Sequence, residues 1–160
     1  MKINKIKELC RDEYNDEVKN RGTDWRFMKL TTFADLIHIE SIDVIKTTNP
    51  KKKLLHLINI ANLSIKALIQ IENGIVKLTD NYENDKGNIY LSVTDALNFY
   101  DNVWYNQDID VLTSDINNRE TIQEITKYSL YHKKGITGNS SSYFSYILSI
   151  SINLINNLVQ

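Results

Sequence analysis

Polar side chains in the first half of this chain stand at spacings that could do chemistry. Glu40 and Asp43 lie three residues apart within TTFADLIHIESIDVIKTT, and His56 and Asn59 lie three apart within KKKLLHLINIANLSIKALIQIENG. In a helix, residues at i and i+3 share a face, so each pair would project from one side of its element. Glu40 interrupts an apolar stripe of Phe33, Leu36, Ile37 and Val44. A carboxylate on a buried face is costly unless it is paired, protonated or bound to a metal. The other arrangement puts Ile39 and Ile42 on the buried side and leaves Glu40 at a boundary beside a Lys or Arg. His56 is equally open, since a histidine near a helix start serves as a solvated or internally satisfied side chain as well as a ligand. Lys51, Lys52 and Lys53 occupy the first turn of the second segment, where their charge opposes the helix dipole. An anion bound there would gain both the free amides and the lysines.

The elements that must position these residues can be read from apolar periodicity. Ile3, Ile6, Cys10, Tyr14 and Val18 mark one stripe of an amphipathic helix over residues 3 to 19. Glu13 and Glu17 lie i, i+4 beside that stripe, where two like charges repel slightly unless a cation sits between them; otherwise they read as a solvated flank. Asn20 to Asp24, with Gly22, forms a helix end and turn, and Trp25 and Phe27 are placed to close over the end of a core. A second helix is expected from Thr31 or Thr32, with Thr32 and Asp35 as a modified capping box. Asn49 as cap and Pro50, the only proline, at the first helical position start a third helix expected to run to about Glu72 and to stop at Asn73-Gly74. Apolar residues cover most of its girth, which places it at the centre of a bundle or in an oligomer interface. His56, Asn59, Leu63 and Lys66 form one line along it.

Beyond Gly74 the pattern changes. Short β-branched segments at 75–78 and 88–93 suggest a β-hairpin. Thr94 is expected to cap a helix over 95–105, another helix is expected over 118–134, and a last apolar helix over 142–160. Asp108, Asp110 and Asp115 lack the glycine and terminal glutamate that a calcium loop needs. The Gly/Ser stretch 136–142 lacks the Lys-Ser/Thr ending of a phosphate loop and reads as a connector. The expected fold is all-α or mainly α: one domain over 1–160, a bundle of about five helices, with a short hairpin near 75–93.

The bulk composition narrows the partners. Nineteen basic residues against twenty acidic ones leave a formal charge of −1, so no global field draws in nucleic acid non-specifically. The hydrophobic share of 42% and charged share of 24% belong to a globular chain. Cys10, a lone thiol, makes no intramolecular disulfide and fits a reducing compartment. No uninterrupted apolar window suggests a signal peptide or membrane span, so a cytoplasmic protein is expected. The abundance of Asn, Ile and Lys matches an AT-rich coding sequence, as in a low-GC bacterium or its phage.

Residues 40 to 59 thus spell E-x-x-D, twelve residues, H-x-x-N. With Glu13 and Glu17 on the first helix and RGTDW before the second, residues 8–72 resemble the all-α nucleoside triphosphate pyrophosphohydrolases of the MazG and dimeric dUTPase type. In those proteins two helices bring acidic pairs onto a magnesium site. The resemblance implies that Glu40 and Asp43 carry Mg²⁺ or Mn²⁺ and that His56 is ligand or base. It also implies that Lys51, Lys52, Lys53, Asn59 and Trp25 contact a nucleotide. The departure is the second pair: His56 and Asn59 bring no negative charge where the family has carboxylates. Either a softer metal is used, or hydrolysis is lost and the pocket sequesters a nucleotide without cutting it. A different class stays open: a helical interaction protein, such as a small regulator or inhibitor. It would work as an obligate homo-oligomer or bind a protein partner, with Glu40, His56, Asn59 and Asn62 fixing helix register.

Overall fold

The computed structural model describes residues 2–22, 24–28, 30–72, 92–106 and 140–159. Among them are five α-helices: α1 (Lys2–Arg21), α2 (Leu30–Lys46), α3 (Pro50–Glu72), α4 (Val93–Asn106) and α5 (Ser140–Val159). A 3₁₀ turn, Asp24–Phe27, joins the first two. The all-α bundle expected from the sequence is the fold observed. The helix expected over 118–134 lies outside the described residues, as does all of the hairpin except its last positions, Ser92 and Val93. There the expectation of a strand fails, because Ser92 precedes α4 and Val93 opens it.

The helix ends follow local chemistry. Gly22 takes a positive φ of 72°, and its N–H bonds the Val18 carbonyl at 2.8 Å, closing α1 as a left-handed C-cap. Asn49 caps α3 as expected: its Oδ1 accepts the backbone N–H of Lys51 at 2.9 Å and of Lys52 at 3.3 Å. Two expected caps move. α2 begins at Leu30, so Thr32 lies inside the helix, and α4 is capped by the Ser92 hydroxyl, which accepts the Asp95 N–H at 3.0 Å. In both cases the helix begins one to two residues before the polar signal suggests, at Leu30 and at Val93.

α3 is the axis of the bundle. It packs most extensively on α5 and next on α2, and it also touches α1, α4 and the 3₁₀ turn. Residues Ser64 to Gln70 are buried on every side. By length and composition Pro50–Ile71 would also cross a bilayer, but 67% of that window is buried inside the protein, as in the core helix of a bundle. α1 and α2 each lie on α3 rather than on one another, which leaves a groove between them floored by α3.

Polar cross-links fix this register. Asn62 Nδ2 donates to the Cys10 carbonyl at 2.9 Å, and the Tyr100 hydroxyl donates to Asn62 Oδ1 at 2.8 Å, tying α1, α3 and α4 together. Tyr14 and Tyr100 stack with centroids 4.0 Å apart and planes 8° from parallel. Burial pushes the Cys10 thiol up to about 12 and the Tyr14 hydroxyl likewise to about 12, so both stay neutral inside this contact.

Candidate functional site

The α2 stripe that meets α3 runs through Leu30, Phe33, Ala34, Ile37, Ser41 and Val44. That stripe turns Ile39 out to 54% exposure and brings Glu40 to the edge of the α3 contact. Neither sequence arrangement is met in full, since Leu36 is exposed while Ile39 is not the buried side. Glu40 is half-buried and faces α3. There its Oε2 lies 2.6 Å from His56 Nδ1, and its Oε1 accepts a long hydrogen bond from Asn59 Nδ2 at 3.4 Å. The hydrogen-bonding partner of Glu40 is therefore a histidine from the next helix, not a lysine or arginine.

Asp43, one turn on from Glu40, joins this group. Glu40, Asp43 and His56 each offer a ligand atom within 4.8 Å of the others, and all three are half-buried. Two carboxylates and one imidazole form a donor set for a divalent ion of intermediate hardness, and Mn²⁺ suits the imidazole better than Mg²⁺ does. An ionised Glu40 can only accept, so Nδ1–H of His56 donates to it. A neutral His56 then keeps Nε2 free to act as a ligand or base.

The groove between α1 and α2 opens beside this group as a cleft of about 410 Å³. Its α1 wall is Glu13, Asp16, Glu17, Asn20 and Arg21; Leu36 and Glu40 line the α2 side; Leu55, Asn59, Leu63 and Lys66 form the floor. A cleft of this volume accommodates a small metabolite or part of a nucleotide. Glu13 has its carboxyl raised above the ordinary 4.5, first by burial and then by the charges of Asp16 and Glu17.

At the floor, Lys66 is 2% exposed, and its Nζ donates to Glu17 Oε1 at 2.7 Å. The same Nζ stands 5.8 Å from the centre of the Tyr14 ring. Burial lowers the Lys66 ammonium from the ordinary lysine value of 10.5, against the pull of Glu17.

The structure thus brings Glu40, Asp43, His56 and Asn59 together, and leaves other sequence candidates apart from them. Trp25 is buried in the core at 5% exposure, with its carbonyl accepting from Gln70 Nε2 at 3.2 Å, and it does not line the cleft. Lys51 and Lys52 are exposed and Lys53 half-buried at the α3 start, outside the cleft lining. Two of the amides an anion would use there are already taken by Asn49. Sequence reading gives no site role to Lys66 or to Glu13 and Glu17, which line the cleft. The signal was present: Lys66 is a lone charge deep in an apolar helix, on the same line as His56 and Asn59. Glu17 is not a solvated flank, because it is that lysine's counter-ion.

The fold and the cleft define an all-α bundle with a polar groove of mixed charge. Compared with family models, with curated proteins and with solved structures, the chain has no significant match.

Proposed function

We propose that the cleft binds a nucleotide through a divalent cation, held by Glu40, Asp43 and His56, in a helical protein related to the all-α nucleoside triphosphate pyrophosphohydrolases. The observation that carries this reading is the convergence of those three side chains, from two helices and within 4.8 Å, beside a cleft of about 410 Å³. Mn²⁺ or Mg²⁺ there would neutralise the phosphate chain and polarise it. Asn59 is placed to donate to a ligand oxygen once Glu40 turns to the metal, and Leu36, Leu55 and Leu63 offer apolar surface for a base or sugar.

The chain holds its nucleotide rather than cleaving it. His56 and Asn59 contribute no negative charge on the α3 side, so a water at the metal is weakly activated compared with one in a site of four carboxylates. Sequestration of a nucleotide fits this chemistry, and the buried, inert Cys10 fits a reducing cytoplasm.

Thermal melting tests the reading by mass action. A nucleoside triphosphate with Mn²⁺ raises the midpoint of the wild type, and Glu40→Gln removes the rise. A wild type that no nucleotide and no metal stabilises overturns the reading. A second reading, an interaction protein that oligomerises, is favoured by Ile39, Ile45 and Leu55, which are 54%, 43% and 43% exposed. Light scattering during size exclusion separates the two: a stable dimer that ignores nucleotide supports oligomer assembly as the function.

A further inference from the structure

Lys66 has a combination of features that the proposed cation site does not use. It lines the cleft floor, its side chain is 3% exposed, and one carboxylate, Glu17, lies 2.7 Å from Nζ. Desolvation at the bottom of a cleft favours the free amine of a lysine, the form that acts as a nucleophile, and the Glu17 carboxylate, which by itself favours the ammonium, stands where it can take up the proton. We propose that Lys66 is a carbonyl-reactive amine, and that the cleft takes a small aldehyde or ketone which forms an imine with Nζ.

The chemistry balances on the two paired groups. Glu17 accepts the proton of the Lys66 ammonium, and the free amine adds to the carbonyl carbon to give a carbinolamine. Glu17 returns the proton to the carbinolamine hydroxyl, which departs as water while the C=N bond forms. No oxidant or reductant is required. Leu63, one turn before Lys66 on the floor, provides apolar surface for the carbon chain of the carbonyl compound and limits water at the imine. The groups bearing on Nζ from α1 are Glu17, Glu13, Arg21 and the ring of Tyr14. Burial and Arg21 disfavour the charged amine, while Glu17 and Glu13 favour it. The net direction is down from the ordinary lysine value, which enriches the free amine at neutral pH.

The inference stands apart from the cation site, because its test contains neither metal nor nucleotide. The full chain is treated with propanal and cyanoborohydride at pH 7, and labelled lysines are located by peptide mass mapping over time. Reductive trapping is expected at Lys66 several times faster than at exposed Lys51 and Lys52, with the preference falling as pH rises toward 10, where ordinary lysines also deprotonate (roughly 10.4). Preference for Lys66 at pH 7 that disappears on prior unfolding in urea supports the proposal. Labelling that follows exposure, with Lys51 and Lys52 ahead of Lys66, overturns it and leaves Lys66–Glu17 as a structural ion pair.

Discussion

At the scale of single residues, two polar pairs of different character tie α3 to its neighbours, His56 with Glu40 of α2 and Lys66 with Glu17 of α1. His56 and Glu40 are each about a quarter exposed, with side-chain values of 26% and 23%, so solvent can reach and exchange this pair. Lys66 is 3% exposed and its partner Glu17 33%, so removing the carboxylate leaves a largely desolvated ammonium without its hydrogen-bonded counter-ion. Glu17→Gln is therefore expected to cost about 3 kcal/mol, the low end for breaking a buried pair, measured by urea unfolding. Replacing both groups, as Glu17→Leu with Lys66→Met, recovers most of that loss, because the desolvation penalty goes with the pair. Glu13 behaves in the opposite sense. Its folded carboxyl is raised, so the stability it contributes is full below the ordinary 4.5 and is lost as pH climbs through the folded value. Glu13→Gln is expected to raise the melting midpoint at pH 7 and to leave it unchanged at pH 3.

At the scale of elements, the helix ends and the central helix carry the local information. Asn49→Ala removes the acceptor of two N–H groups at the start of α3 and is expected to cost about 1 kcal/mol by chemical denaturation. Gly22→Ala, at φ 72°, forces a side chain into the left-handed region at a cost of about 1 kcal/mol, although the space there is open. The start of α3 was legible from its sequence, because a cap, a proline and a continuous apolar girth all agree. The starts of α2 and α4 were less so. Thr32 and Thr94 looked like caps, but Leu30 lies in the bundle core and draws the helix back past the first of them, while the Ser92 hydroxyl precedes the second. The Glu40 and His56 encounter was foreshadowed by i, i+3 spacing on facing helices. The Lys66 and Glu17 encounter was not, because spacing within one helix says nothing about which face of α1 meets α3.

At the scale of the whole molecule, α3 touches every other described element, so the core and the candidate site share one support. Leu68, fully buried on α3, is expected to cost about 2–5 kcal/mol when replaced by Ala, and unfolding should stay a single transition by both circular dichroism and tryptophan fluorescence. The groove exists because α1 and α2 both choose α3 over each other, and that choice leaves polar residues of three helices facing one space. The central claim is that Glu40, Asp43 and His56 hold one divalent ion beside that space. Electron paramagnetic resonance of free Mn²⁺, titrated against the protein, tests it most directly. The account predicts one ion bound per wild-type chain, with binding lost in Glu40→Gln and weakened in His56→Ala. Undiminished free Mn²⁺ in the presence of the wild type, or equal binding by Glu40→Gln, would contradict it.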